Sequence, residues 1–117
     1  MIVLVCGGRV ERPEIRTLVR RVLDERREAG KLSAIVTGMA SGVDTYATVW
    51  AKQNRVDLML GVAHWSFHGP SAGPIRNAAM LRICRVDLVL AFPGGNGTAN
   101  MVEQAMKAGV PVENVLQ

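Results

Sequence analysis

The chain has 117 residues, of which 49% are hydrophobic and 21% charged. This is the composition of one globular domain, and it excludes a largely disordered chain. Its 14 basic and 10 acidic residues give a net charge of +4, a surplus that suits a small anionic ligand without requiring nucleic acid. Two widely separated cysteines, Cys6 and Cys84, argue against a disulfide framework. Because no apolar stretch has the length of a membrane span, we expect a cytoplasmic protein.

Short apolar runs and amphipathic segments alternate along the chain. The first run, residues 2–6, is unbroken and ends at two glycines, which is typical of a strand buried on both faces of a parallel sheet. Pro13 suits the first turn of a helix, and apolar residues at helical spacing follow it. The full pattern predicts strands over residues 2–6, 34–36, 58–63, 87–92 and 112–116, and helices that begin at Pro13, Ser41, Pro74 and Thr98.

Residues 64–73 interrupt this alternation. The segment contains two aromatic residues, two histidines, a proline and two glycines, so we expect a loop. Trp65, Phe67 and His68 are expected to form a lid or wall over a neighbouring crevice. His64 and His68 have no clustered third ligand, so we expect no metal site.

Strict alternation of strands and helices predicts an α/β fold. We expect a single domain over residues 1–117, a Rossmann-like three-layer sandwich whose five-stranded, mostly parallel sheet has the order 3-2-1-4-5. That order rests on what folds of this class share, since no residue fixes it. In such a sheet, ligands bind beyond the carboxyl ends of strands 1 and 4, where the chain reverses direction.

Both loops at this predicted crevice are rich in glycine. Gly7, Gly8 and Arg9 leave the first strand, and residues 93–98 leave the fourth. Where no Cβ intervenes, backbone amides can approach a phosphate closely, and a helix N-terminus adds a favourable field for an anion. The alternative interpretation is that the glycines only permit tight turns. The full GxGxxG fingerprint is absent, which disfavours a dinucleotide oxidoreductase, and we expect no cofactor.

Polar residues at the predicted helix starts have two interpretations each. Ser41 and Asp44 could form an N-terminal capping box, or Asp44 could accept hydrogen bonds from a ribose. Thr98 is either an N-cap or a phosphate ligand. Arg76 and Asn77 are predicted in the first turn of their helix, where the dipole disfavours a cation. A phosphate or carboxylate ligand would explain that arginine, and a solvated surface position is the alternative.

Together these motifs resemble a known family. The series is Cys6-Gly7-Gly8-Arg9, Thr37-Gly38, Ser41-Gly42-Val43-Asp44, Trp50-Ala51, Trp65 with His68-Gly69, Gly73-Pro74-x-Arg76-Asn77-x-x-Met80 and Phe92-Pro93-Gly94-Gly95-Asn96-Gly97-Thr98. It covers nearly the whole chain and resembles the YspA/YpsA-related branch of the SLOG superfamily, which also contains the LOG-type phosphoribohydrolases and the DNA-processing protein DprA. The resemblance implies a Rossmann-like fold that binds nucleotides or nucleotide-derived signals, in bacteria or in their phages.

The LOG enzymes carry the motif Pro-Gly-Gly-x-Gly-Thr-x-x-Glu and, on the preceding helix, an arginine followed by a methionine. Arg76, Met80 and residues 93–98 are similar to that pattern, whereas Met101 occupies the position of the glutamate. The resemblance therefore implies phosphate binding but puts hydrolysis in doubt. If the chain does catalyse a reaction, Asp44 and Arg76 are its candidate catalytic residues.

We therefore expect a domain that binds a nucleotide-derived, phosphoribosyl-type small molecule. The alternatives are a LOG-like hydrolase of nucleoside monophosphates and a DprA-like nucleic-acid-binding module, the latter disfavoured by the mild net charge and small size. We also expect a homodimer or larger homo-oligomer, because four alanines offer small surfaces for helix packing: Ala78, Ala79, Ala105 and Ala108. The candidate ligand-binding residues are Gly7, Gly8, Arg9, Gly38, Ser41, Asp44, Arg76, Asn77, Pro93, Gly94, Gly95, Asn96, Gly97 and Thr98.

Overall fold

The computed structural model describes residues 1–116, which form a five-stranded sheet with helices on both faces. The strands are β1 (Ile2–Cys6), β2 (Ala34–Gly38), β3 (Asp57–Gly61), β4 (Leu88–Ala91) and β5 (Val112–Asn114). The helices are α1 (Pro13–Glu28), α2 (Val43–Gln53), α3 (Trp65–His68), α4 (Ala72–Ile83) and α5 (Asn96–Lys107), and a 3₁₀ turn covers Gly69–Ser71. Within this described part of the chain, no helix is long and apolar enough to cross a membrane.

The strands lie in the order β3-β2-β1-β4-β5, and every neighbouring pair is parallel. In the central strand, Leu4 lies beside Val36 of β2 and Val89 of β4. The chain moves outward from β1 through β2 to β3 and then returns past β1 to add β4. This confirms the predicted α/β sandwich and its strand order, and it places the carboxyl ends of β1 and β4 side by side.

Alternate residues of the buried strands divide the core into two layers. Val3 and Val5 belong to a buried cluster with residues of α1 and α2, among them Trp50. Leu4 and Cys6 belong to a second cluster with residues of α4 and α5. Because both faces of the sheet are covered, β1 and β4 are apolar at every position rather than at every second one.

The segment predicted as a loop contains helix α3 and a 3₁₀ turn, so that prediction for residues 64–73 was wrong. Helix α4 follows directly and begins at Ala72, ahead of Pro74. A residue in the first turn of a helix has no intrahelical partner for its N–H, so Pro74 does not prevent the helix from beginning two residues earlier.

The small-residue surface expected for assembly is only partly available. Ala105 is fully buried in the cluster beneath α5, so it cannot contact another subunit, and its inclusion was wrong. Ala78 and Ala79 are half-buried, and Ala108 is exposed. The homo-oligomer itself stays a prediction.

Candidate functional site

A cavity of about 260 Å³ lies at the carboxyl ends of β1 and β4. The two glycine loops meet there, because the amide of Gly8 donates a hydrogen bond of 2.8 Å to the carbonyl oxygen of Pro93. The start of α2 and one side of α4 complete the walls. The cavity is lined by Val5, Cys6, Gly7, Gly8, Arg9, Gly38, Ala40, Asp44, Arg76, Asn77, Met80, Gly95, Asn96, Gly97 and Thr98.

Three of the sequence-predicted site residues lie outside this lining. Pro93 and Gly94 face the other side of their loop, where they border a separate surface groove beside α5. Ser41 borders a smaller cavity next to the main one. The structure brings the remaining predicted residues together around one cavity, although they come from five separate segments of the chain.

The glycines of the site divide into two groups. A Cβ added at Gly7 would lie 2.6 Å from Cγ2 of Val43, and one added at Gly94 would meet Oγ1 of Thr98. These positions need glycine because neighbouring chain segments pack against them. A Cβ at Gly95 or Gly97 would instead enter open space, with no atom within 4 Å. At these two positions the absence of a side chain leaves room beside the cavity.

Helix α5 begins at Asn96, with Gly95 as its N-cap and no side-chain hydrogen bond to its first turn. Thr98 is therefore the third residue of the helix, and its proposed role as N-cap was wrong. Gly95 occupies the N-cap position with a φ of −106° and a ψ of −139°, so the chain enters α5 two residues earlier than the sequence pattern predicted. The first turn of α5 directs its free amide groups toward the cavity that Asn96, Gly97 and Thr98 line.

The predicted capping box at the start of α2 is also wrong. The helix begins at Val43 after Gly42, which has a φ of 75°, and no side chain caps it. That turn directs the Ser41 hydroxyl to the carbonyl oxygen of Arg9, to which it donates a hydrogen bond of 2.8 Å. The amide of Val43 donates to the carbonyl oxygen of Gly8 at 3.1 Å. Asp44 is thus free of the capping role and lines the cavity.

Asp44 is a buried residue, with 7% of its surface exposed, although an aspartate side chain in water is charged at neutral pH. It accepts hydrogen bonds from Oγ1 of Thr37 at 3.0 Å and from the amide of Ala40 at 3.3 Å. Burial raises its pKa above the ordinary value of 3.8, although both hydrogen bonds and the nearby Arg76 and Arg9 lower it.

The hydroxyl of Thr37 has two acceptors within reach. It lies 3.0 Å from Oδ1 of Asp44 and 2.8 Å from the carbonyl oxygen of Val5, and it has one proton to donate. Because the carbonyl oxygen of Val5 competes for that proton, the hydrogen bond from Thr37 only partly offsets the effect of burial on the pKa of Asp44.

We expect the substitution Asp44→Asn to raise the melting temperature at pH 7. Because folding raises the pKa of Asp44, the folded protein binds more protons than the unfolded chain once the pH exceeds 3.8. The free energy of unfolding contributed by Asp44 therefore falls as the pH rises through this window toward the raised pKa. An asparagine at this position is neutral at every pH and can donate to Thr37 through its amide group. Calorimetric melting between pH 3 and pH 8 measures the effect.

The matched control is Asp57→Asn, which removes an exposed carboxylate at the start of β3. We expect no comparable gain from it. A melting temperature of Asp44→Asn at or below that of the natural protein at pH 7 would contradict the prediction.

Arg76 lies in the second turn of α4 rather than the first, because the helix begins at Ala72. The helix dipole therefore does not explain why an arginine at this position would need a ligand. The location of the Arg76 side chain in the cavity lining is a separate reason to expect one. Nη1 of Arg76 lies 2.5 Å from where a Cβ of Gly38 would be, and Oδ2 of Asp44 lies 2.7 Å from the same point, so the guanidinium and the carboxylate both lie beside the end of β2. Nε donates to Oδ1 of Asn77 at 3.2 Å. Among residues 1–116, Arg76 forms no ion pair with a carboxylate.

Asn77 is buried and connects α4 to α5. Its Nδ2 donates to the carbonyl oxygen of Gly97 at 3.3 Å and to Oδ1 of Asn100 at 3.1 Å. Because its Oδ1 accepts from Arg76, Asn77 holds the arginine and the first turn of α5 in a fixed relation. Its side chain is satisfied within the protein, which makes it a supporting residue of the cavity wall.

Of the three residues predicted to form a lid or wall over the crevice, only Trp65 borders a cavity. The ring of Trp65 covers the guanidinium of Arg9, with Cζ 5.2 Å from the ring centroid. It borders the small cavity beside the main one. Phe67 is 84% exposed and packs edge-to-face on His68. Neither Phe67 nor His68 lines either cavity. Within residues 1–116, no cluster of three potential metal ligands occurs.

Sequence reasoning did not assign Cys6, Ala40 or Met80 to the site. Cys6 is the last residue of β1, and burial together with the Asp44 charge raises the pKa of its thiol to about 12. It is therefore neutral and does not act as a thiolate. Both Cys6 and Cys84 are free, and Cys84 is only half-buried. Met80 could have been found from its spacing, because it lies one turn after Arg76 on the same face of α4.

Met101 is fully buried in the core cluster between the sheet and α5 and does not line the cavity. Glu103 is exposed and borders the groove on the other side of the loop. Within the described residues, Asp44 is the one carboxylate in the cavity lining.

Comparisons with known proteins agree with this architecture. The Gene 61 protein of Mycobacterium phage D29 is 39% identical to this chain over an alignment 120 residues long. The alignment covers 96% of this chain and 94% of that protein. A crystal structure of UDP-N-acetylglucosamine 2-epimerase shares the fold, with a TM-score of 0.62 at 14% identity; the match covers 97% of this chain but 32% of the epimerase chain. The family described as YspA, cpYpsA-related SLOG matches residues 1–68. The chain therefore belongs to the YspA, cpYpsA-related SLOG family.

Proposed function

We propose that this protein binds a nucleotide or a nucleotide-derived, phosphoribosyl-type molecule in the cavity at the ends of β1 and β4. The observation that carries the proposal is the convergence of the two glycine loops, Arg76 and the buried Asp44 on one cavity. Its volume of about 260 Å³ is slightly below the range of about 300–1,000 Å³ that is usual for small-molecule sites, which suits a compact ligand. Family membership and the Rossmann-like fold agree with this class of ligand.

The phosphate is proposed to bind at the start of α5. The backbone there is free of side chains at Gly95 and Gly97, so an anion can approach the amide groups of the first turn. The helix dipole favours negative charge at this end. Arg76 lines the same cavity without a carboxylate partner in the described chain, and a guanidinium pairs well with phosphate oxygens.

The sugar is proposed to lie over Asp44. Two of its acceptor positions are used by Thr37 and Ala40, and a carboxylate has about four, so it can still accept hydrogen bonds from a ligand. Ribose hydroxyl groups are donors of the right kind. Binding of such donors would favour the ionised form of Asp44, so we propose that ligand binding lowers the pKa that burial raises.

The substitution Gly95→Leu is expected to abolish nucleotide binding without unfolding the protein. A Cβ at this position meets no protein atom within 4 Å, and the φ of −106° lies outside the left-handed region that favours glycine. The leucine would instead occupy the space in which we propose the phosphate lies. Calorimetry with AMP, GMP, CMP and UMP measures affinity, and thermal melting with and without nucleotide confirms folding. For the natural protein, a ligand at a hundredfold excess over its Kd adds about 2.7 kcal/mol to the free energy of unfolding.

Ala108→Leu is the matched control, because it adds a leucine to an exposed position at the other end of α5. It should melt like Gly95→Leu in the absence of ligand and bind nucleotide like the natural protein. Unchanged nucleotide affinity in a folded Gly95→Leu variant would contradict the proposed phosphate position. Absence of binding of all four nucleotides to the natural protein would contradict the proposed function.

A further inference from the structure

A second, smaller cavity of about 130 Å³ adjoins the main one. Arg9 and Arg76 border both cavities, so their guanidinium groups lie at the boundary between the two. Trp65 and Ser41 form part of the far wall of the small cavity. No carboxylate lines it.

Like most arginines of residues 1–116, Arg9 and Arg76 form no ion pair, and they differ from the others in bordering both cavities. Arg12 lies 3.1 Å from a carboxylate oxygen of Glu14, and Arg26 lies 3.6 Å from one of Glu113. Within residues 1–116, neither Arg9 nor Arg76 has a carboxylate oxygen within 4.0 Å. Asp44 is near enough for both arginines to lower its pKa, but it forms no ion pair with either and does not line the small cavity. Two guanidinium groups beside a cavity that no carboxylate lines favour an anionic occupant.

The position of Arg9 is maintained by its neighbours rather than by a charge. The ring of Trp65 covers its guanidinium at 5.2 Å, a cation–π contact that leaves the N–H edge free to donate. The ring in turn packs closely on Gly73, where a Cβ would lie 3.3 Å from Cη2 of Trp65. The arginine is thus oriented without using its hydrogen-bonding capacity.

We propose that the small cavity holds a second anionic group of the ligand, so that the ligand class is a nucleoside diphosphate or a related pyrophosphate-containing nucleotide. This inference rests on the proposed function, because the first phosphate is the one placed at the start of α5. Adjacent phosphates can share Arg76, which borders both cavities, and the second phosphate gains Arg9. A monophosphate fills the main cavity alone and makes no contact in the smaller one.

Calorimetry with matched pairs of nucleotides tests this inference. The pairs are AMP and ADP, GMP and GDP, CMP and CDP, and UMP and UDP, measured on the natural protein and on Arg9→Gln. For the best-bound base, the natural protein should bind the diphosphate about tenfold more tightly than the monophosphate, the size of effect expected of one added charge-assisted hydrogen-bonded pair. Arg9→Gln should weaken binding of the diphosphate more than binding of the monophosphate and so bring this ratio close to one.

Arg21→Gln is the control, because it removes the same charge from an exposed position of α1 that borders neither cavity. It should leave both affinities and their ratio unchanged. Equal affinities of the natural protein for mono- and diphosphates would overturn the inference but leave the proposed function in place. An Arg9→Gln variant that weakens both nucleotides equally would also overturn it. Failure to bind either kind of nucleotide would instead overturn the proposed function itself.

Discussion

Replacing Gly42 with alanine is expected to lower the free energy of unfolding by about 3 kcal/mol and to abolish nucleotide binding. Gly42 has a φ of 75°, a conformation in which a side chain is strained. A Cβ there would meet the carbonyl oxygen of Gly8 and lie 2.8 Å from the carbonyl carbon of Arg9. Because Gly8 and Arg9 line the cavity, relief of this overlap would displace one wall of the site. Urea unfolding and nucleotide calorimetry measure the two effects.

The control for backbone strain alone is Gly30→Ala. Gly30 has a φ of 69°, but a Cβ there would have no atom within 4 Å. We expect a loss of about 1 kcal/mol, from the conformational penalty, and no change in nucleotide affinity. Equal losses of stability in the two variants would show that the close approach of α2 to the loop after β1 contributes nothing.

The substitution Met101→Glu, which restores the glutamate of the LOG motif, is expected to destabilise the protein by about 3 kcal/mol or more without creating a hydrolase. Met101 is 0% exposed and packs in the core between the sheet and α5. A carboxylate at this position would be buried among apolar side chains instead of facing the cavity. Cleavage of an N-glycosidic bond requires a group beside the sugar that stabilises positive charge, and a glutamate in the core cannot supply it.

The matched control is Met101→Leu, which conserves volume and should cost less than about 1.5 kcal/mol. Urea unfolding separates the two variants. Incubation with AMP, GMP, CMP and UMP, followed by chromatography of free base, should show no release by the natural protein or by either variant. Turnover by the natural protein that is lost in Arg76→Ala would overturn this expectation, since it would show that the cavity supports hydrolysis without the glutamate.

Local sequence patterns were sufficient to predict the layers of the fold. The unbroken apolar runs at residues 2–6 and 88–91 correspond to β1 and β4, because strands covered on both faces have no polar side. The helical spacing after Pro13 predicted α1, since an amphipathic helix needs one apolar face to pack on a sheet. Given the strand order of this fold class, the sequence also predicted that the two glycine loops lie at one crevice.

Helix boundaries could not be predicted at the same level. Ser41 and Thr98 are residue types that are common at the N-cap, yet Gly42 and Gly95 are the N-cap residues of α2 and α5. The reason lies in contacts distant in sequence. The Ser41 hydroxyl donates a hydrogen bond to the carbonyl oxygen of Arg9, and the amide of Val43 donates one to the carbonyl oxygen of Gly8. The neighbouring loop, rather than local propensity, therefore determines the turn that begins α2.

The sequence by itself therefore determined the α/β class, the buried strands and the residue types available at the crevice, because these depend on short-range periodicity and composition. Only the tertiary structure decided which residues are structural and which face the cavity. Gly7 and Gly95 both lie in glycine-rich loops that follow a strand. Gly7 packs against Val43, whereas a Cβ added at Gly95 would enter open space. The sequence left Asp44 open between a capping role and a ligand-binding role, and the tertiary structure places it as a buried carboxylate in the cavity lining. Burial, close approach and the absence of an ion partner all depend on atoms that lie far apart along the chain.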